Sequence, residues 1–213
     1  MASVHFFTMN PFSENTYIVY DETKECVVID PGCYTPAERT KLVDYIGKQG
    51  FTPVRLLNTH CHVDHVFGNG FVAAAYNLEL EAHKGEVPVL ESYPMVADMY
   101  GIPNIQQSPS IDKFLEEGDI VEFGNTKMKV LFAPGHSPAS ICFYSEADGF
   151  IIAGDVLFQD SIGRTDLPGG DYDTLINSIK TQLLPLPDSV KVYPGHGSAT
   201  TVGRERKHNP FLK

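Results

Sequence analysis

The chain has 213 residues, 42% apolar and 20% charged, enough to bury a substantial core and far from the composition of a disordered segment. Its net charge of −11 argues against a nucleic-acid partner, which needs a basic face. No apolar run approaches the roughly 18–20 residues of a membrane span, and the N-terminal residues lack the basic start and apolar stretch of a secretory leader, so a cytoplasmic protein without a membrane partner is expected.

Residues 4–9, 16–20 and 25–29 are short, β-branched and aromatic-rich, and predict three consecutive antiparallel strands. Asp30-Pro31-Gly32 closes the third with a turn. Residues 36–48 carry Ala37, Leu42, Val43, Tyr45 and Ile46 at helical spacing, and Gly50 follows as a stop. An apolar strand over 54–58 runs straight into Thr59-His60, and 66–75 reads as helix. A short strand at 80–82 and a short helix at 84–90 come next. Residues 92–110, interrupted by Pro94, Pro103 and Pro109, predict a partly helical insertion near a cleft. The second half predicts strands at 120–123, 127–133, 141–144, 150–153 and 191–193, with a helix at 172–183.

Each half is thus a run of strands, then a helix, then a strand that delivers a histidine. Two sheets packed face to face with helices outside, an α+β fold of the αββα sandwich type, place those strand ends on one rim, where sites are commonly built. A single domain over residues 1–213 is expected. The four cysteines, Cys26, Cys33, Cys61 and Cys142, form no C-x-x-C pair and are expected as reduced thiols. Cys61 lies between two histidines, and alternation in an extended segment points it away from them.

The strongest local signal is Thr59-His60-Cys61-His62-Val63-Asp64-His65. Three imidazoles and a carboxylate directly after an apolar strand are costly unless they bind something, and a divalent metal is the ligand such groups prefer. Alternate residues His60 and His62 can reach one ion, while Asp64 and His65 point toward a second. His136, Asp155 and His196 each end an apolar strand, and each is preceded by a glycine that permits close backbone approach. Seven ligands suit two metals: three His on one, one Asp and two His on the other, and a carboxylate between them. His5, His83 and His208 have no such setting. No G-x-S-x-G nucleophile elbow is present.

The order of these seven positions resembles the metallo-β-lactamase superfamily. The resemblance implies the αββα sandwich and a dinuclear site, with His60, His62 and His136 on the first metal, Asp64, His65 and His196 on the second, and Asp155 bridging. Asp64 and Asp155 would then be catalytic. Aspartate rather than cysteine at 155, with Asn10-Pro11-Phe12-Ser13-Glu14-Asn15-Thr16-Tyr17, Gly163-Arg164-Thr165-Asp166 and Pro194-Gly195-His196-Gly197, is similar to the glyoxalase II branch and its short hydroxyacylglutathione hydrolase-like members. Full-length glyoxalase II continues past its last metal histidine into a helical glutathione-binding domain. This chain ends at Lys213, so that domain is not expected. Arg164 falls where the branch places a basic residue near the carboxylate of the thiol conjugate.

The resemblance therefore implies a metal-dependent hydrolase that cleaves a small-molecule S-acyl thioester such as S-lactoylglutathione through a metal-bridging hydroxide. Two divalent ions, Zn²⁺ ahead of Fe or Mn, and a monomer or homodimer are expected. One alternative is a mononuclear iron sulfur dioxygenase acting on glutathione persulfide; another is a non-catalytic, metal-stabilised binding module. Lactamase and nuclease chemistry are disfavoured by the acidic charge and the missing cysteine ligand.

Overall fold

A computed structural model describes all residues 1–213. The first sheet begins with β1 (Ser3–Met9), β2 (Glu14–Tyr20) and β3 (Glu25–Ile29), paired antiparallel as expected. Helix α1 (Pro36–Gln49) then crosses over to β4 (Thr52–Leu57), which pairs parallel to β3. Its ends are written in the sequence. Thr35 and Glu38 form a capping box, Pro36 sits in the first turn, and Gly50 closes the helix at φ 68°. Leu42 and Ile46, four residues apart, are its buried face.

Beyond β4 come α2 (Val63–Val66), α3 (Asn69–Tyr76), β5 (Leu80–Ala82), α4 (Val87–Met99) and β6 (Ile111–Phe114), with β5 and β6 continuing the parallel order. The single helix expected over 66–75 is two helices. Gly68 breaks it because the chain must turn against the loop after β3: its N–H donates to the Pro31 carbonyl, and a side chain there would strike Cys33. The helix expected to end at 90 runs on to Met99 through Pro94. Proline removes one N–H from the ladder, but Leu90, Tyr93 and Ala97 are buried on both sides of it and hold the helix down. Strand β6 had no sequence signal because only Ile111 of its four residues is buried, leaving no alternation to read.

The second sheet contains β7 (Ile120–Phe123), β8 (Thr126–Phe132), β9 (Ile141–Ser145) and β10 (Phe150–Gly154), all antiparallel. A two-stranded excursion, β11 (Leu157–Phe158) and β12 (Ser161–Ile162), follows β10. Helix α5 (Tyr172–Ser178), extended by a π turn over Ile179–Leu183, leads to β13 (Lys191–Pro194), parallel to β10. β14 (Thr200–Thr201) and α6 (Val202–His208) end the chain.

Three buried clusters define the layers. One, including Val19, Ile29, Leu57, Val130, Phe143 and Ile152, lies between the two sheets. A second packs α1 to α4 on the outer face of the first sheet, and a third packs α5 and α6 on the outer face of the second. The architecture is the αββα sandwich. Each Leu, Ile or Phe fully buried in these layers contributes about 1.5–3 kcal/mol. All four cysteines are free and buried, and Cys61 belongs to the outer cluster of the first sheet.

Candidate metal centre

Four strands of the two sheets end at one rim. His60 follows β4, His136 follows β8, Asp155 follows β10 and His196 follows β13. Backbone hydrogen bonds stitch the sheets together there: the Asn15 N–H donates to the Gly195 carbonyl at 2.7 Å and the Ile141 N–H to the Thr59 carbonyl at 2.9 Å. The Asn10 side chain donates to the carbonyls of Gly32 and Asp64, and that of Asn15 to the carbonyls of Pro194 and Gly197. Asn10 in the β1–β2 loop and Asn15 near the start of β2 are thus the lacing that draws the histidine-bearing loops together.

The seven expected residues converge. Donor atoms of His60, His62 and His136 lie within 4.8 Å of one another, and so do those of Asp64, His65 and His196. Asp155 sits between the groups, one oxygen 3.4 Å from His136 Nε2 and from His196 Nε2, the other 3.6 Å from His65 Nε2. Asp64 Oδ2 is 3.1 Å from His196 Nε2.

The residues fit metal ions on a test internal to the structure. His60 Nε2, His65 Nε2 and Asp155 Oδ1 are buried without any hydrogen-bond partner. Such orphans cost about 1–3 kcal/mol each in a folded protein, and a cation shared among them removes that cost. The charge states of His60, His62 and Asp64 suit ligation. Burial, reinforced by the neighbouring imidazoles, holds His60 far below its ordinary value and His62 at about 3, so both are neutral. Burial would raise the Asp64 carboxyl, but His65 and His196 outweigh it and keep it ionised.

Outer contacts orient the rings. His136 Nδ1 meets the Arg164 carbonyl at 2.7 Å and His196 Nδ1 the Phe12 carbonyl at 3.2 Å, which leaves each Nε2 facing the centre. His62 differs, presenting Nδ1 toward His136 Nε2. The glycine before each ligand has a steric reason. A Cβ on Gly195 would fall on Asp155 Oδ1 and 2.8 Å from His65 Cε1, and one on Gly135, at φ 125°, would strike the backbone of Leu175.

Residues 9–196 match the Metallo-beta-lactamase superfamily. The chain belongs to that superfamily. It is 36% identical to the hydroxyacylglutathione hydrolase GloC of Haemophilus influenzae, over 99% of this chain and 98% of that one. Its fold matches the crystal structure of the BLEG-1 B3 metallo-β-lactamase with a TM-score of 0.89 at 34% identity, over 99% of this chain and 100% of that one. It also matches TTHA1623 in a di-iron-bound form with a TM-score of 0.88 at 38% identity, over 98% and 100%. As a superfamily member the protein is a metallo-hydrolase whose His/Asp cluster is positioned for metal binding.

Three buried carboxylates that support this superfamily centre had not been singled out as site residues. Asp30 accepts from the Thr59 N–H and hydroxyl and from the Asn58 side chain, and its other role is to stand 3.2 Å from His65 Nδ1. Glu86 accepts from the Cys61 N–H, the Ala139 N–H and the Ser137 hydroxyl. Glu14 accepts from the Thr16 hydroxyl. Asp30 and Glu14 stood in noticed motifs; Glu86 looks in sequence like any charged residue of a helical turn. Arg164 lines the cleft above the cluster, with its guanidinium paired through two nitrogens to Asp166. Cys61 plays no part in the centre: burial pushes its thiol far above the ordinary value, toward the neutral, non-ligating form.

Proposed function

We propose that this metallo-hydrolase cleaves small-molecule S-acyl thioesters, S-lactoylglutathione among them, at a dinuclear centre. The observation that carries the proposal is the position of Asp155 between two separate ligand groups, within 3.4–3.6 Å of His65, His136 and His196. Whole-length similarity to a hydroxyacylglutathione hydrolase supports the thioester as the substrate class. Because the ligands come from both sheets, residues 1–213 act as one catalytic unit.

His60, His62 and His136 would hold one cation, Asp64, His65 and His196 the other, and Asp155 both. Two divalent ions bound there, Zn²⁺ or iron, would supply a hydroxide by lowering the pKa of a water from about 15.7 toward about 7, and positive charge beside the developing oxyanion. The reaction forms a bond from a water oxygen to the acyl carbon and breaks the acyl carbon–sulfur bond, and the departing thiolate takes up a proton. Asp64 and Asp155 orient the attacking water. Imidazoles fixed by their outer hydrogen bonds hold the geometry without reorganisation. Arg164 reaches a carboxylate of the thiol carrier only by exchanging it for Asp166.

A second reading, β-lactam hydrolysis, is favoured by the similarity to BLEG-1. The experiment measures bound metals per chain, then thiol release from S-lactoylglutathione, ring opening of a cephalosporin and oxygen uptake with glutathione persulfide. Two metals and chelator-sensitive thiol release are expected. A two-metal protein that releases no thiol overturns the thioester reading, ring opening favours the second one, and oxygen uptake with one iron per chain replaces both with a dioxygenase. A metal-loaded chain inactive in every assay is a binding module.

A further inference from the structure

The cleft above the cluster has a volume of about 700 Å³. One wall of it is a single face of α4 and the residue that follows it. Val89, Ser92, Val96 and Tyr100 line the cleft at the spacing that brings side chains onto one side of a helix. Leu90, Tyr93 and Ala97, one position further on, are buried against the first sheet and hold that face in place. Ile162 and Leu167 add apolar lining from the second half.

The polar side chains that line the cleft away from the cluster are engaged with the protein itself. The Ser92 hydroxyl donates to the Val89 carbonyl at 2.7 Å, and the Ser161 hydroxyl to the Ile162 carbonyl at 3.4 Å. Both guanidinium contacts of Arg164 go to Asp166, at 2.7 and 2.6 Å. Tyr100, exposed at the mouth and edge-on to Phe12, adds one hydroxyl. A carboxylate on a bound molecule therefore finds no unpaired cation along this wall, and a hydroxyl finds only that of Tyr100, whereas every methylene laid on it leaves water. The common biological thiol carriers are polar or charged, so the apolar arm of a thioester is its acyl group.

We infer that the cleft selects its thioester by an apolar, medium-length acyl chain laid along α4, with Val96 at the centre of that wall as a specificity-determining residue. The inference rests on the thioester reading of the same site and narrows it, placing the lactoyl group among the poorer substrates.

Two series on the metal-loaded full chain test it. Hydrolysis is followed for acetyl, butyryl, hexanoyl and lactoyl thioesters of N-acetylcysteamine, an uncharged carrier. Affinity is followed by calorimetry for the matching non-hydrolysable thioethers, from S-methyl to S-hexyl. Both kcat/KM and affinity are expected to rise roughly threefold to fourfold per added methylene, and hexanoyl to exceed lactoyl by at least about tenfold. Val96→Asp flattens both series while metal content stays at the wild-type value, and the milder Val96→Ala flattens them in part. Level or falling values with chain length, a lactoyl ester preferred over hexanoyl, or unchanged slopes in both folded variants overturn the inference. Affinity that climbs with chain length in a protein that hydrolyses none of the thioesters upholds the apolar selection and removes the proposed chemistry instead.

Discussion

The buried carboxylate of Glu86 accepts the Ser137 hydroxyl through both of its oxygens, at 2.7 and 2.9 Å. The same carboxylate takes the N–H of Cys61 and the N–H of Ala139. It therefore clamps the loop bearing His60 and His62 to the loop bearing His136. Glu86→Ala leaves three buried donors unsatisfied at about 1–3 kcal/mol each before relaxation. The expected result is a loss of about 2–4 kcal/mol in urea unfolding and a 10–100-fold weaker metal affinity. Glu86→Gln, which keeps one acceptor oxygen, falls between. Wild-type metal affinity in a folded Glu86→Ala protein sinks this account.

Asp155 is a different case, because its Oδ1 accepts no hydrogen bond. Asp155→Ala removes a buried charge rather than a structural bond. The metal-free variant is expected to keep or exceed the wild-type melting temperature, measured by calorimetry. Turnover with metals present falls about a hundredfold or more, because both ligand groups lose a shared contact. A variant that turns over at the wild-type rate contradicts the bridging role.

Gly195 and Gly149 separate crowding from backbone strain. Gly149 has φ 68° and open space around its Cβ position, so Gly149→Ala costs only the left-handed penalty of about 1–2 kcal/mol and leaves metal binding intact. Gly195→Ala drives a methyl group into Asp155 and His65. Its metal affinity is expected to fall at least about tenfold, read by competition with a chromophoric chelator. Equal metal affinities in the two variants refute the steric argument.

Asp21 ties the β7–β8 turn to the β2–β3 turn. Its carboxylate accepts from the Thr23 hydroxyl, the Thr23 and Asn125 N–H groups and the Thr126 hydroxyl. Burial raises the carboxyl, and these hydrogen bonds outweigh it, so its pKa lies below the ordinary value. A lowered folded-state value means that the stability is fully present above the unfolded pKa of about 3.9 and is lost as pH falls through the folded value. Asp21→Asn is expected to cost about 1–3 kcal/mol at neutral pH and to reduce the acid slope of the urea midpoint below about pH 4. An unchanged acid slope rules Asp21 out as its source.

Much of the molecule was legible because the signals are local. The capping box of α1, the alternation in the sheet strands and the H-x-H-x-D-H spacing each lie within a few residues, where backbone geometry alone dictates what neighbours can do. The strand–glycine–ligand pattern at His136, Asp155 and His196 was legible for the same reason. The short β14 and helix α6 carried too few periodic residues to read. Pro94 masked the length of α4, since a helix that keeps a proline does so only because Leu90, Tyr93 and Ala97 are anchored by another element.

By itself the sequence determined which residue types follow which strands, and hence that a cluster of imidazoles and carboxylates exists. Only the tertiary structure decided that Asp155 lies between two groups, that Glu86 and Asp30 serve the loops rather than the solvent, and that Arg164 spends its charge on Asp166. The reason is physical: a ligand's identity is a property of one side chain, whereas bridging, clamping and pairing are distances between segments. Those distances are set when the two sheets bury their shared core and draw the four strand ends to one rim.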